Sequence, residues 1–284
     1  MPTFSLSDRY PRRRAFVTGA ASGLGRALAR LLGSDGWTVG LADVDADGLE
    51  DTADRVRRVG GQPHRVALDV TDAAAFETAA DAFVRETDGV DLVINNAGIG
   101  AGGAFADTSL DDWHTVLSVN LMGVVHGCRA FVPHLRAEGG HLVNVASLAA
   151  VASSPFMAPY NVSKAGVKAL SETLYGELRA DGVHVCVLLP PFFQTNIDAE
   201  LRGPDAMRAL TQRLMDRSGL DAEAVARHAL REAGRDRIHV LYGNWTSRLV
   251  WYGRRLSPAW YVGTLPDRAD QIRDFVARRD RDDA

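Results

Sequence analysis

The sequence predicts an α/β fold built on a doubly wound parallel sheet of about seven strands, with helices on both faces. Short apolar stretches alternate with helical patterns along residues 14–243, as βαβ units require. The apolar stretches are nearly continuous, which is typical of parallel strands buried on both faces. Polar and glycine-rich turns follow them at their carboxyl ends, where such sheets bind ligands.

Composition favours one large domain with a full core. The chain has 284 residues, of which 46% are hydrophobic and 24% are charged. A net charge of −4 gives no electrostatic reason to expect nucleic acid as a partner. Cys128 and Cys186 form no CxxC motif, which indicates thiols in a reducing, cytoplasmic compartment. We expect residues 1–13 to be loose and not a signal peptide, and no apolar run reaches the roughly eighteen residues of a membrane span.

A glycine-rich turn follows the first predicted strand. The order TGxxxGxG places Gly19, Gly23 and Gly25 before a helix, with Ser22 and Leu24 between them. Free N–H groups and the dipole at a helix N-terminus favour a diphosphate there. The spacing differs from the common GxGxxG pattern, and a tight strand–helix corner is the alternative.

Asp43 ends the second predicted strand, eighteen residues after Gly25. A carboxylate near this spacing accepts hydrogen bonds from the adenosine ribose and repels a 2′-phosphate. Its neighbours Ala42, Val44 and Asp45 are not basic, so we expect NAD rather than NADP. The alternative is a strand-end or helix-capping residue.

Two more strand ends carry polar residues. The third predicted strand ends in Asp69 and Val70, where the carboxylate either meets an adenine edge or serves only as a turn acid. The fourth ends in Asn95, Asn96, Ala97 and Gly98, which suits a turn on the ligand side of the sheet.

Tyr160 and Lys164 stand one helical turn apart in a helix from about Ala158 to Arg179. A nearby ammonium favours the phenolate and moves the tyrosine pKa toward the working range. The alternative is a helix-start tyrosine beside a solvated lysine. Ser147 ends the fifth predicted strand, and Asn120 lies inside a long helix, where it either faces solvent or holds a water.

In this order, these residues resemble the classical short-chain dehydrogenases/reductases over roughly residues 14–243. The resemblance rests on the TGxxxGxG turn, Asp69, the Asn95–Gly98 turn, Asn120, Ser147, the YxxxK pair and Thr195. It implies a Rossmann-type fold that binds NAD. One departure is that Pro190-Pro191 stands where the family usually has Pro-Gly, which affects the expected contacts of residues 190–195.

The resemblance also implies roles for individual residues. Tyr160, as phenolate, acts as general acid/base on a secondary alcohol, and Lys164 lowers its pKa and binds the nicotinamide ribose. Ser147 orients the substrate oxygen, Asn120 holds a water that links Lys164 to solvent, and Thr195 bonds the nicotinamide carboxamide. The implied cofactor-binding set is Gly19, Ser22, Gly23, Leu24, Gly25, Asp43, Asp69, Val70, Asn96, Ala97, Gly98, Tyr160, Lys164, Pro190, Phe193 and Thr195.

Apolar side chains are expected around the substrate, together with a lid over about residues 196–218. None of the expected wall residues is cationic, although Arg202 and Arg208 of the lid could reach in. The pattern favours a hydrophobic aryl, alicyclic or steroid-like secondary alcohol or ketone. The expected substrate-binding residues are Ser147, Ala149, Phe156, Met157, Tyr160, Phe192 and Met207.

The tail, residues 244–284, interleaves aromatic and arginine side chains. It either packs on its own domain, contacts another subunit, or lies on a membrane surface, which we favour least. The family resemblance implies a homodimer or homotetramer built through the helices that hold Asn120 and Tyr160.

Three other functions remain open from the sequence: an NADP-dependent ketone reductase, an epimerase or dehydratase on the same scaffold, and a nucleotide-sensing protein without catalysis. The eight histidines form no HxxxH or HExxH pattern, so we expect no metal site.

Overall fold

Seven strands form one parallel sheet in a computed structural model that describes residues 6–195, 197, 201–242 and 245–282. The strands are β1 Arg14–Thr18, β2 Thr38–Asp43, β3 Gln62–Ala67, β4 Leu92–Asn95, β5 Gly140–Val145, β6 Val183–Leu189 and β7 His239–Leu241. Their order across the sheet is β3-β2-β1-β4-β5-β6-β7, and every pair is parallel. The predicted fold class is confirmed, and the order reverses between β1 and β4, which defines the switch point.

Helices cover both faces of the sheet and continue beyond the last strand. They are α1 Leu6–Arg9, α2 Gly23–Ser34, α3 Ala46–Arg58, α4 Ala73–Thr87, α5 Leu110–Leu117, α6 Gly123–Glu138, α7 Ala149–Ala152, α8 Ala158–Leu178, α9 Asp205–Ser218, α10 Ala222–Ala233, α11 Trp245–Leu256, α12 Pro258–Gly263 and α13 Leu265–Asp282. A π-helical turn, Ser118–Met122, joins α5 to α6.

The core has one layer on each face of the sheet. Leu28, Trp37 and Ala226 belong to the layer under α2, α3 and α10. Phe16 and Phe131 belong to the layer under α4, α6 and α8, and their ring centroids lie 4.7 Å apart. Burying a side chain of this size contributes about 1.5–3 kcal/mol, so the two layers hold the strand ends in fixed positions.

Residues 6–13 are not loose, contrary to the sequence prediction for residues 1–13. Leu6 is the first residue of α1, and Tyr10 directly follows the helix, where its N–H donates to the Leu6 carbonyl at 2.9 Å. Both side chains are buried and join the α2–α10 layer of the core. Four-residue spacing places two apolar groups on one helical face, which is why this polar segment packs. Residues 1–5 lie outside the described part of the chain.

One helical stretch, Leu110–Glu138, is long and apolar enough by composition to cross a membrane, with a mean hydropathy of 1.3 over its most apolar window. It comprises α5, the π-turn and α6, and it packs against the sheet through Val116, Val124 and Phe131. Core helices of globular proteins pass the same test, so this single stretch in the described residues is weak evidence for a span.

The C-terminal helices α11–α13 pack on their own domain. Trp251 joins the core layer under α4, α6 and α8, and Tyr261 is buried against Ala152. Three aromatic side chains of α11 and α12 remain exposed: Trp245, Tyr252 and Trp260 are each more than half accessible to solvent.

Candidate active site

The glycine turn after β1 requires glycine for two separate reasons. Gly19 and Gly23 have φ of +65° and +49°, in the left-handed region that disfavours a side chain. A Cβ at Gly25 would lie 2.0 Å from the Gly19 carbonyl oxygen. The side chain of Asn96 donates to the Thr18 carbonyl at 2.9 Å, which ties the turn to β4. The turn therefore leaves a cradle that a side chain would fill.

Asp43 braces this turn and also lines the adjoining cavity. Its carboxylate accepts the N–H of Ala21 at 2.9 Å and the N–H of Asp45 at 3.1 Å. The cap of α3 is Asp45, which accepts the N–H of Gly48 at 3.0 Å, so Asp43 is not a helix cap.

Asp69 likewise holds a turn beside the cavity. Its Oδ1 accepts the N–H of Thr71 at 2.9 Å and the hydroxyl of Thr71 at 2.8 Å. Asp72 caps the next helix through the N–H groups of Ala74 and Ala75. Both Asp69 and its neighbour Val70 line the cavity.

Asn120 lies in the π-turn and is fully buried, so it does not face solvent. Its amide oxygen accepts the Ile99 N–H at 2.8 Å, while its amide nitrogen donates to the Ile99 carbonyl at 3.0 Å and to Ser163 Oγ at 3.2 Å. A Cβ at Gly98 would lie 3.0 Å from Asn120 Oδ1 and 3.2 Å from Lys164 Nζ. Asn120 thus fixes the loop after β4 close against Lys164, as π-turns at functional sites often do.

Ser147, Tyr160 and Lys164 come together at the carboxyl end of β5. Ser147 Oγ accepts the Ala149 N–H at 3.1 Å, lies 3.5 Å from the Pro190 carbonyl oxygen and interacts electrostatically with the Tyr160 hydroxyl. Lys164 Nζ donates to the Val145 carbonyl at 3.1 Å and lies 5.8 Å from the centroid of the Tyr160 ring. All three residues line one cavity, so the predicted constellation is assembled in space.

Burial dominates the electrostatics of the pair. It raises the pKa of Tyr160, and the hydrogen bond with Ser147 acts in the opposite direction. Burial also lowers the pKa of Lys164 to about 8. The sequence-based expectation was a tyrosine pKa lowered by Lys164, and the direction in this structure is the reverse, because a low-dielectric site penalises both charges.

One cavity of about 1090 Å³ contains nearly all the expected site residues. Besides the catalytic three, it is lined by Gly19, Ser22, Gly23, Leu24, Asp43, Asp69, Val70, Asn96, Ala97, Gly98, Ala149, Met157, Pro190, Phe192, Phe193 and Thr195. Gly25 and Asn120 lie behind the wall and shape it.

Phe156 and Met207 do not line the cavity, contrary to the expectation for substrate-binding residues. Phe156 has a φ of +61°, and its ring lies 5.8 Å from the Arg273 guanidinium of α13. Met207 is buried against Gly102, where an added Cβ would lie 3.0 Å from its terminal methyl. Thr211 and Met215, further along α9, face the cavity in its place.

The lid expected over residues 196–218 therefore contains α9, which contributes to the wall. Leu201 also lines the cavity, whereas residues 196 and 198–200 lie outside the described part of the chain. Neither Arg202 nor Arg208 lines it, since Arg202 pairs with Asp112 and Arg208 with Asp205.

The segment after β6 borders the cavity as expected, although Pro191 follows Pro190 where a glycine was expected. The Pro190 carbonyl accepts the Leu148 N–H at 2.8 Å, and Pro191 lines the cavity. Thr195 Oγ1 accepts the Ile197 N–H at 3.0 Å and would lie 3.4 Å from a Cβ at Gly23. Thr195 therefore stands over the glycine turn.

The C-terminal helices supply two cavity residues that the sequence analysis missed, Val250 of α11 and Arg268 of α13. The residues expected to form the substrate wall include no cation, and this expectation is wrong because the Arg268 side chain lines the cavity. The mixed aromatic and arginine composition of the tail indicated packing, but no local pattern connected it to Ser147, more than a hundred positions earlier.

Within the described residues, no group of three or more His, Cys, Asp or Glu side chains could hold a metal ion.

Comparison with known proteins points to one family. The family model for short chain dehydrogenases matches residues 13–206. The probable oxidoreductase EphD of Mycobacterium tuberculosis is 43% identical over 185 residues, which are 64% of this chain and 31% of that protein. The chain thus spans about a third of the length of this relative.

Two further relatives match over most of their length. A 3beta-hydroxysteroid dehydrogenase 1 of Eggerthella lenta is 32% identical over 91% of this chain and 99% of that protein. A short chain dehydrogenase/reductase from Burkholderia phymatum, solved in complex with NAD, is 35% identical, covers 90% of this chain and 96% of its own, and superposes with a TM-score of 0.81.

Proposed function

Because the chain belongs to the short-chain dehydrogenase family, we propose that it is an NAD-dependent oxidoreductase that interconverts a secondary alcohol and a ketone. The observation that carries this proposal is the convergence of Ser147, Tyr160 and Lys164 on one cavity that also holds the glycine turn and Asp43.

The cavity fits a dinucleotide. The cradle of Gly19, Gly23 and Gly25 leaves backbone N–H groups at the start of α2 for a diphosphate. Asp43 would bind the adenosine ribose, Asp69 and Val70 would border the adenine, and Lys164 and Thr195 would hold the nicotinamide half. When bound, the oxidised nicotinamide would supply the hydride acceptor and a positive charge beside the phenol.

NAD is favoured over NADP by the charges at the adenosine end. The acidic residues that line the cavity are Asp43, Asp45 and Asp69, and all three follow β2 or β3. No lysine or arginine of the described residues lines that end. A 2′-phosphate would therefore meet carboxylates without a compensating cation. The B. phymatum relative, which was solved in complex with NAD, agrees with this preference.

Tyr160 would act as general base in alcohol oxidation and as general acid in ketone reduction. Its hydroxyl and that of Ser147 interact and line the same cavity, so both would contact the same substrate oxygen. Lys164 is held by Val145 and would stabilise the phenolate through space. Asn120 would hold the Ile99 loop in place beside Lys164. By holding this loop, Asn120 would also maintain the path along which water links Lys164 to solvent.

The substrate would be hydrophobic around its reacting carbon. Met157, Phe192, Leu201, Met215 and Val250 give apolar surface on the catalytic side of the cavity. Such walls suit an aryl, alicyclic or steroid-like secondary alcohol, and the hydroxysteroid dehydrogenase of E. lenta supports the last class.

We further propose a homodimer or homotetramer in the cytoplasm. Met122, in the π-turn directly before α6, and Val162, in α8, are exposed apolar side chains on the two helical stretches expected to meet across a subunit boundary. Cys128 and Cys186 are free and buried, as suits a reducing compartment.

The direct test is a screen of aryl, alicyclic and steroid secondary alcohols for NADH formation at 340 nm, with NADP⁺ in parallel. Oxidation of at least one class with NAD⁺ is expected. Turnover with NADP⁺ alone would favour the ketone-reductase alternative. Tight NAD⁺ binding with no turnover of any alcohol would favour a nucleotide-sensing protein.

A further inference from the structure

Arg268 reaches the catalytic cavity from α13, far along the chain from the rest of the site. Its guanidinium lies 5.1 Å from the centroid of the Tyr261 ring and donates to the Tyr261 hydroxyl at 3.2 Å. The Tyr261 hydroxyl in turn donates to the Ala152 carbonyl at 2.9 Å, and Tyr261 is only 2% exposed. The arginine is therefore oriented by a buried tyrosine that is anchored to the helix following Ser147.

The charge of Arg268 is not neutralised by a carboxylate among the described residues. Other arginines near this side of the molecule form ion pairs: Arg202 with Asp112, Arg208 with Asp205, and Arg273 with Asp270. Arg268 forms no such pair with a described residue, and its guanidinium donates instead to the neutral hydroxyl of Tyr261.

The charged groups that line the cavity are unevenly distributed. Its carboxylates, Asp43, Asp45 and Asp69, all lie at the proposed adenosine end. On the catalytic side, the described lining includes the cations Lys164 and Arg268 and no acid. Lys164 is occupied by the Val145 carbonyl and by its role beside Tyr160. Arg268 thus leaves a positive charge, bordered by Val250 and Ala152, that faces the substrate space.

We propose that Arg268 binds a carboxylate on the substrate, remote from the hydroxyl that Tyr160 deprotonates. This rests on the proposed function and narrows its substrate class to acids with a hydrophobic body and a secondary alcohol or ketone at the other end. A guanidinium offers several N–H donors in a planar fork, of which the Tyr261 contact uses one, so a carboxylate can be held by two parallel hydrogen bonds. The apolar walls between Ser147 and Arg268 then contact the body of the substrate.

The test measures binding rather than turnover. Isothermal titration of the full-length protein would compare 4-acetylbenzoate with its methyl ester, and 3-oxo-5β-cholanoate with its methyl ester. The two pairs differ in length, and within each pair the ester lacks the negative charge and carries one additional methyl group. The proteins are the wild type, Arg268→Met, Arg268→Lys and the control Arg273→Met, whose arginine lies on the same helix outside the cavity lining.

For at least one pair, the acid is expected to bind the wild type and Arg273→Met at least tenfold more tightly than the ester. Arg268→Met should reduce this ratio to about one with little change in ester affinity, and Arg268→Lys should keep part of it. Equal affinity of acid and ester in both pairs, or an acid preference that survives in Arg268→Met, overturns the proposal.

Failure of this proposal is distinguishable from failure of the proposed function. The ratio of acid affinity to ester affinity is measured without hydride transfer, so a preference for the acid can be observed even when the NADH screen fails. Conversely, turnover of neutral alcohols by a protein that does not prefer the acids would support the dehydrogenase activity and exclude Arg268 as a carboxylate-binding residue.

Discussion

Lys164 Nζ lies 5.8 Å from the centroid of the Tyr160 ring at the carboxyl end of β5, where Lys164 is buried and Tyr160 is half-buried. Burial raises the pKa of the tyrosine and lowers that of the lysine to about 8, so the protein alone disfavours the charged form of each group. A cation bound in the cavity would shift this balance toward the phenolate. In the proposed mechanism, proton abstraction would thereby be coupled to binding of an oxidised cofactor, whose nicotinamide ring carries a positive charge.

Replacing Tyr160 with phenylalanine removes the proton acceptor and little else. The ring would still fill its place at the start of α8, so the fold and the cofactor cradle should persist. We expect turnover to fall by about 10²–10⁴-fold, the usual contribution of general acid–base catalysis, with NAD⁺ affinity changed less than about threefold. Steady-state NADH formation and fluorescence titration of NADH measure the two quantities.

Ser147→Ala serves as the comparison for that variant, because it removes a hydroxyl that orients substrate but leaves the base. Its loss in turnover should be smaller. Near-normal turnover of Tyr160→Phe would eliminate Tyr160 as the general base.

Replacing Asp43 should change the choice between the two nicotinamide cofactors. Asp43→Ala removes the carboxylate that would bind the ribose and repel a 2′-phosphate, so NAD⁺ should weaken more than NADP⁺. The same carboxylate braces Ala21 and Asp45, so Asp43→Asn is the sharper variant, since it keeps an accepting oxygen without the charge. The measurement is the ratio of the two dissociation constants, expected to shift toward NADP⁺ by about tenfold or more. An unchanged ratio in both variants would remove Asp43 from this role.

The glycine turn gives a steric prediction. A Cβ at Gly25 would lie 2.0 Å from the Gly19 carbonyl oxygen, so Gly25→Ala must displace the turn backbone. We expect NADH affinity to fall at least about a hundredfold, because the N–H groups at the start of α2 lose their alignment. Fluorescence titration of NADH measures this change.

Gly176→Ala is the matched control for the turn. Gly176 lies in α8 with no atom within 4 Å of an added Cβ, so alanine should leave NADH binding unchanged and stabilise the helix by up to about 1 kcal/mol. Unimpaired NADH binding by Gly25→Ala would contradict the cradle.

Features with a strong local cause could be predicted from the sequence. Most of the strands follow from apolar runs, although the edge strand β3 is largely polar and has no buried residue. Gly19, Gly23 and Gly25 are recognisable because few other uses require glycine at that spacing. Ser147, Tyr160 and Lys164 could be connected because the carboxyl ends of parallel strands meet at one edge of the sheet.

Features that depend on contacts between distant segments could not be predicted. The hydrophobicity of Phe156 and Met207 suited a pocket wall, but a left-handed backbone turns Phe156 toward Arg273 of α13, and Met207 packs on Gly102. The place of Arg268 depends on how α13 docks through Tyr261, which no local periodicity specifies. Nor does periodicity show that the π-turn buries Asn120.

His141 provides a prediction about stability at acid pH. It lies on β5 and is 1% exposed, with its ring stacked 5.8 Å from that of His184, and neither of its ring nitrogens has a hydrogen-bond partner within the described structure. Burial, followed by the charges of His184 and Arg9, lowers its pKa to about 3. The imidazole is therefore neutral in the folded protein at any pH where the protein is expected to function.

The folded-state pKa lies below the unfolded value of about 6.5, so the unfolded chain binds a proton that the folded chain refuses. The contribution of neutral His141 to the free energy of unfolding is fully present above about pH 6.5. It is lost as the pH falls toward 3, with a limiting slope near 1.4 kcal/mol per pH unit.

His141→Phe keeps the ring volume and removes this titration, so between about pH 7 and pH 4.5 the variant should lose about 2 kcal/mol less stability than the wild type. Urea unfolding followed by tryptophan fluorescence at both pH values measures the difference. His134→Gln, which changes a half-buried histidine paired with Asp81, should follow the wild type closely. Equal pH dependence in the wild type and His141→Phe would mean that His141 is already protonated, or reached by water, in the folded state.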